Sequence, residues 1–245
     1  MSFNNGLIDT SKYEDGCVKH PNKHMPKHCF RWCYVGSSGA GKTNVLLNTL
    51  DHLYFDKLHI ICPTALTQPK YLYVKDKYDK EDEKIRTELR RYNKKNKTMY
   101  DIEDRVSLHE EMPENFLDSL NKQQVNLVVF DDMVCTDRKQ EKAIVDCFIR
   151  GRHLNASFIY LTQSFYKIPR VIRLNCSCFN IFHSTNKSEL AQLHKDIGLQ
   201  TDKKSFVDTI SKLVEPLYSF VHINIDSIEP FRQQDMTTLI KFNKE

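Results

Sequence analysis

The sequence predicts an α/β fold: a mainly parallel central sheet flanked by helices, with one charged helical insertion. Three stretches predict it. Gly36-Ser37-Ser38-Gly39-Ala40-Gly41-Lys42-Thr43 fits G-x-x-x-x-G-K-[ST] at every fixed position. Before it, the aromatic-rich run 28–35 reads as a strand; after it, Leu46, Leu50 and Leu53 recur at i, i+4, i+7, as on an amphipathic helix. Val125 to Phe130 is an apolar run closed by Asp131-Asp132, the pattern of a buried parallel strand with acids at its C-terminal tip. Strand, glycine loop and helix in that order make the first stretch a phosphate-binding loop rather than a flexible turn.

The residues of the loop have separate tasks. Its glycines admit positive φ and close backbone approach. Its N–H groups, from Gly36 through Ser37, Ser38, Gly39, Ala40 and Gly41, form an anion nest, and the following helix adds the positive end of its dipole. Lys42 reaches β- and γ-phosphates, and the Thr43 hydroxyl binds Mg²⁺. Asp131 then reads as the acid of the Mg²⁺ shell and Asp132 as the group that orients and deprotonates an attacking water. ATP and Mg²⁺ are the implied cofactors. A plain Asp-Asp turn is the alternative for the pair.

The chain has 245 residues, 40% of them hydrophobic, which suits one α/β core and not two. A formal charge of +4 is compatible with nucleic acid without requiring it. No apolar run is long enough to span a membrane, and residues 1–11 lack a signal pattern. Eight cysteines beside a phosphate loop point to free thiols in a reducing compartment.

We divide the chain into a flexible N-terminal arm (1–27), one P-loop domain (28–230) with an insertion at 75–98, and a polar, weakly ordered tail (231–245). The arm region carries Cys17, His20, His24, His28, Cys29 and Cys33, which are zinc-binding types at irregular spacing; buried thiols in a strand are the alternative for Cys29 and Cys33. Lys19, Lys23, Lys27 and Arg31 make it basic, either a solvated arm or a DNA contact. Leu58 to Cys62 reads as a short strand stopped by Pro63. Residues 75–97 hold ten Lys/Arg and six Asp/Glu, with Tyr78, Ile85, Leu89 and Tyr92 on one stripe and i,i+4 pairs Asp76/Lys80 and Asp82/Arg86. This is a solvated surface helix or a lever facing DNA or a neighbouring subunit. A short helix carries Phe116, Leu117 and Leu120.

Asp137 is placed to cap a helix bearing Ile144, Cys147 and Phe148 that ends at Arg150-Gly151-Arg152-His153, with Gly151 as its C-cap glycine. Ser157 to Leu161 is a strand followed by Thr162-Gln163-Ser164, and Gln163 at its tip can sense the γ-phosphate or the water. Pro169 suits a helix N1 position, with Lys167, Arg170 and Arg173 nearby as phosphate-gripping cations. Phe179 to Phe182 is a strand. Helices follow around Leu190, Leu193 and Ile197, stopped by Gly198, and around Phe206, Ile210 and Leu213. Tyr218 to Ile225 reads as an edge strand or an added hairpin.

In order, GSSGAGKT, LVVFDDM, FIRGRH and YLTQSFYKIPRVIRLN resemble the motifs of the genome-packaging ATPases of large DNA viruses, virophages and Polinton-like elements, within the HerA/FtsK superfamily, relatives of which poxviruses encode. The resemblance covers about residues 28–185. It implies an ASCE-type P-loop fold, with the glutamine strand between the P-loop and Walker B strands. It implies a homo-oligomeric ring, a pentamer or hexamer, that moves double-stranded DNA into a capsid through a capsid or portal component, at the site of virus replication and assembly in the host cell, cytoplasmic factory or nucleus. Lys42 and Thr43 become the Walker A pair, Asp131 the Mg²⁺ acid, and Gln163 the sensor. Asp132 stands where many members have glutamate, one methylene longer. Arg152, ahead of Arg150, becomes the trans-acting arginine finger.

Two other readings fit parts of the chain. A nucleoside or small-molecule kinase would use Arg86, Arg90 and Arg91 as a lid. A non-hydrolytic nucleotide-switch adaptor would use the Cys/His arm. Asp-Asp followed by a strand-tip glutamine favours water as the acceptor.

Overall fold

In the computed structural model, residues 18–133, 138–183, 186–197 and 201–242 are described. In chain order, β1 (Arg31–Val35) leads into α1 (Lys42–Leu50), β2 (Lys57–Ile61), α2 (Pro69–Asn96), β3 (Val106–His109), α3 (Phe116–Ser119), β4 (Asn126–Asp131), α4 (Arg138–Arg150), β5 (Ala156–Thr162), α5 (Arg170–Asn175), β6 (Cys178–Phe182), α6 (Lys187–Asp196), α7 (Lys203–Leu213), β7 (Phe220–Asn224) and β8 (Phe231–Arg232). They build one sheet in the order β3-β2-β4-β5-β1-β6-β7-β8. The strands from β3 to β6 are parallel; β7 and β8 are added antiparallel. The glutamine-tipped strand β5 lies between β1 and β4, as the resemblance implies.

Period-two alternation buries both faces of the sheet. Trp32 and Tyr34 of β1 face α1 and α2, packing with Leu46, Leu50, Tyr71 and Val74. Cys33 and Val35 face the other side, with Phe148 of α4, Ile172 of α5 and Phe206 of α7. The same alternation sends Leu127 and Val129 of β4 toward α1 and α2, and Val128 and Phe130 away. Asp131, next in this series, therefore points to the α1 side.

Helix α2 begins at Pro69, six residues before the expected insertion, and runs 28 residues, about 42 Å. Its buried residues are Tyr71, Val74, Tyr78 and Asp82. Of the expected stripe only Tyr78 is buried; Ile85 and Tyr92 are exposed because the helix has by then left the sheet. Asp76 does pair with Lys80. Asp82 pairs not with Arg86 but with Arg105, whose Nε and backbone N–H both donate to its carboxylate at 2.5 and 2.9 Å. A backbone donor plus a guanidinium from the returning loop outcompetes a local helical pair. Arg86 turns instead to Asp104 at 2.6 Å, and Arg90 to Glu83 at 3.0 Å. β3 was not expected: Val106-Ser107-Leu108-His109 is too short and too polar to stand out.

Gly151 is not a left-handed C-cap. α4 continues into a 3₁₀ turn at Gly151–Leu154, and the left-handed terminator is Asn155, with φ 51°. Glycine is required at 151 because a Cβ there would lie 2.0 Å from the Phe158 ring. Pro169 is the N-cap of α5, one position before N1. The late strand is realised as β7 with β8 as its hairpin partner. Within the C-terminal segment Phe231 is buried and packs edge-on against Phe242, with ring centroids 4.7 Å apart. Met25 is buried, and the Tyr54 N–H donates to His20 Nδ1 at 3.1 Å, so residues 20–25 also rest on the domain. Asp137, Gly198 and Cys17 lie outside the described residues.

Candidate nucleotide-binding site

The C-terminal tips of β1, β5 and β4 stand side by side. Val35 is in register with Thr162, and Leu161 with Asp131. The Gly36 N–H donates to the Thr162 carbonyl at 3.2 Å, tying the phosphate loop to the tip of β5. Strands lie about 4.8 Å apart, so the residues after each strand share an edge roughly 10 Å wide. Ligands of α/β sheets bind at this edge.

Gly39 and Gly41 hold φ of 76° and 94°. At Gly39 a side chain would project into open space, and Gly41, the N-cap of α1, offers no side-chain cap. The first-turn N–H groups of α1 thus face the cleft without a capping oxygen, which suits an anion. Lys42 is buried, and its Nζ donates to the Gly36 and Ser37 carbonyls at 2.7 and 2.9 Å, bracing the loop across its mouth. Burial pushes its pKa down; Asp131 and Asp132 oppose this.

Asp131 ends β4 on the α1 side, buried at 8% exposure. Burial pushes its carboxyl pKa up; a hydrogen bond donated by the Tyr71 hydroxyl pulls it down, and Asp132 raises it again. Tyr71, fully buried on α2, also interacts through its hydroxyl with Thr43 and is itself held well above the usual phenol range, first by burial and then by Asp131. The Thr43 hydroxyl and Asp131 carboxylate are hard oxygen donors, and such a set suits Mg²⁺. Sequence reasoning missed Tyr71. It lies 60 residues upstream of Asp131 on a helix read as a surface insertion, and its only local signal was its spacing to Val74 and Tyr78.

Asp132 adopts φ 51°, a left-handed conformation uncommon for a residue other than glycine. Its backbone turn carries the carboxylate out of the strand direction, where Gln163 Nε2 donates to Oδ1 at 3.0 Å. These residues line a cleft of about 430 Å³ with Gly39, Lys42, Thr43 and Asp131. A second crevice of about 250 Å³ lies on the far side of the Asp132–Gln163 pair, lined also by Glu141 and Lys167.

Other sequence candidates are not at this cleft. Arg150 and Arg152 precede β5, whereas Gln163 follows it, so the seven residues of β5 put them about 20 Å away at the opposite edge of the sheet. Both are exposed. Lys167, which lines the second crevice, and Arg170 are both exposed. Arg173 is not available to grip phosphates: it is ion-paired to the buried Asp196 at 2.9 Å and lies 4.9 Å from the Phe165 ring centroid. His28 is engaged by Asn155 and Ser157, and Cys33 faces Cys176. Among the described residues the Cys/His set of the arm does not form a group of three or more ligands. No helix among them is long and apolar enough to cross a membrane.

A family model described as Poxvirus A32 protein matches residues 18–230. A comparison with curated proteins found no match. Among solved structures, the chain is similar to the genome packaging NTPase B204 from Sulfolobus turreted icosahedral virus 2 in complex with sulfate: TM-score 0.54, 12% identity, covering 86% of this chain and 98% of that one. It is similar also to B204, the DNA-packaging ATPase from Sulfolobus turreted icosahedral virus, with TM-score 0.53 and 13% identity over 83% and 96% of the two chains. The same NTPase in complex with AMPPCP gives 0.52 and 14% over the same shares. At these identities the likeness is one of fold.

Proposed function

The chain belongs to the Poxvirus A32 protein family, and from that premise we propose that it is a Mg²⁺-dependent ATPase that drives double-stranded DNA into a viral capsid at the site of virus assembly. The observation that carries this reading is the Gln163–Asp132 hydrogen bond at the mouth of the phosphate-loop cleft. A carboxylate held by an amide is suited to orienting a water.

Within the cleft, the N–H groups of residues 37–39 and 41–43 cradle the phosphates and Lys42 neutralises the β- and γ-oxygens, leaving its carbonyl partners in the loop to do so. Gln163 occupies one oxygen of Asp132, which leaves the other to accept the proton of the attacking water. The water oxygen bonds to the γ-phosphorus, the bond to the β-bridging oxygen breaks, and ADP leaves with that electron pair. Thr43 and Asp131 would hold Mg²⁺, which supplies charge neutralisation on the β- and γ-phosphates. Arg152, or Arg150 beside it, serves a neighbouring subunit's cleft in a ring. Lys167 and Arg170 are exposed cations available for sequence-blind phosphate contacts.

Steady-state ATP hydrolysis, measured with and without long double-stranded DNA over a range of protein concentrations, tests this. Turnover is expected to rise with DNA and faster than linearly with protein. Negligible phosphate release, insensitive to DNA at every concentration, would remove the motor reading.

Tyr71→Phe is a narrower test. It keeps the buried ring and deletes the one hydroxyl that donates to Asp131. Groups that orient a metal ligand typically change metal affinity about 10–100-fold when lost. The Mg²⁺ concentration for half-maximal turnover is therefore expected to rise within that range. An unchanged Mg²⁺ dependence alongside a lower melting temperature would reduce Tyr71 to an anchor of α2.

A further inference from the structure

The turn between α7 and β7 carries a residue type that its backbone does not favour. The Ser219 N–H donates to the Pro216 carbonyl at 3.1 Å, closing a four-residue turn with Leu217 and Tyr218 in the middle. Tyr218, the third residue, has φ 65°. Glycine is the usual occupant of such a position, since an L side chain is strained there. Strain of this kind persists at sites where it serves function. The ring it presents is not buried: Tyr218 is 61% exposed and Leu217 67%.

The ring stands over the phosphate loop. Tyr218 Cδ1 is 3.4 Å from where a side chain on Gly41 would begin, and Tyr218 lines the same cleft as Lys42 and Thr43. It also lines a separate crevice of about 330 Å³ with Leu213, Pro216, Leu217, Phe220 and Gln233. Tyr218 is thus the wall shared by the phosphate cleft and an adjoining, largely apolar crevice.

Topology says what leaves the phosphate cleft on that side. Asp132 and Gln163 follow β4 and β5, on one side of β1; β6 and β7 lie on the other. With the terminal phosphate at Asp132 and Gln163, the phosphate chain crosses the loop and its nucleoside end emerges toward β7, where Tyr218 stands.

We propose that Tyr218 is the stacking platform for the nucleobase of the bound triphosphate, with the purine ring lying on it and entering the crevice beside Leu217. This deepens the proposed ATPase reading and rests on it. Stacking on an aromatic face favours the larger ring of a purine over a pyrimidine.

The test compares ATP, CTP and inorganic tripolyphosphate, each with Mg²⁺, by calorimetric titration of the full chain. Tyr218→Gly removes the ring and suits the left-handed backbone, so it should fold at least as stably as the native chain. Its affinity for ATP is expected to fall about 10-fold or more, its affinity for tripolyphosphate to stay unchanged, and its preference for ATP over CTP to collapse. Tyr218→Phe should behave as the native protein. Equal loss of ATP and tripolyphosphate in Tyr218→Gly would overturn the proposal and make Tyr218 a support of the loop; so would no loss of either. If the native chain binds neither ligand, and Lys42→Ala matches it, the nucleotide reading beneath the proposal fails instead.

Discussion

Asp132→Asn is expected to lower ATP turnover by about 10²–10⁴-fold, the usual contribution of a positioned general base, while ATP affinity stays near native. The substitution is nearly isosteric. The asparagine amide oxygen can still accept from Gln163 Nε2, so the 3.0 Å contact at the mouth of the cleft is retained. Asparagine also tolerates the left-handed backbone at φ 51°, so the fold should not suffer. What is lost is the oxygen basic enough to take a proton from water. Single-turnover hydrolysis and ATP binding measured on the same preparation separate the two effects. Turnover near native in the variant would move the base elsewhere, and Glu141, which lines the crevice on the other side of the Asp132–Gln163 pair, is the next carboxylate to test.

Much of this site is legible in the sequence because its parts sit at strand tips. A buried parallel strand announces itself as an apolar run, and the residue after the run lands at the functional edge whatever the details of packing. That is why residues 36–43, Asp131, Asp132 and Gln163 can be assigned to one edge before any coordinates, and why the order of β4, β5 and β1 follows from the resemblance. The residues that escape such reading reach the site laterally. Tyr71 comes from a helix that packs against the sheet for only its first few turns. Its charged remainder dominates the composition, so the segment reads as a surface insertion. Tyr218 comes from a turn whose backbone calls for glycine, and a tyrosine there gives no local turn signal.

Charge is the other place where sequence reading fails, and for a physical reason. Helical i,i+4 spacing predicts Asp76–Lys80 correctly because both side chains are exposed and, among the described residues, make no other ion pair. It fails at Asp82, which is buried and needs two donors, because Arg105 offers both a guanidinium and a backbone N–H from across the loop. Arg173 fails similarly: its place beside Arg170 in sequence suggests an exposed cation, yet Asp196 of α6 and the face of Phe165 hold it. A long-range partner for a buried charge leaves no trace in local spacing.

The second large effect is expected at Arg152, and it should appear only in the assembled protein. Arg152 is exposed at the end of the sheet away from its own cleft, close to the start of β1, where the Cys29 thiol approaches its carbonyl. Across the length of β5, about 20 Å, it cannot reach its own phosphates. Separation of this kind is what a cyclic assembly above a dimer requires, because heterologous interfaces join two different patches of the same surface. A cleft on one patch and an arginine on another are completed only when copies meet head to tail. Arginine supplied in trans contributes about 10³–10⁵ in rate where it neutralises transition-state charge on a transferring phosphoryl group. Arg152→Ala is accordingly expected to bind ATP normally and to lose the concentration-dependent part of its turnover by about that factor. Mixing Arg152→Ala with Asp132→Asn provides the decisive readout. Each variant alone is strongly slowed, but at an interface where the Arg152→Ala copy contributes the intact cleft and the Asp132→Asn copy the intact arginine, one complete site forms and turnover rises above that of either variant alone. A mixture that stays inactive while both proteins co-assemble, or an Arg152→Ala protein with native turnover, would eliminate Arg152 from this role. The same pair of experiments would then be run on Arg150, which lies at the end of α4 and approaches Asp118 at 3.9 Å.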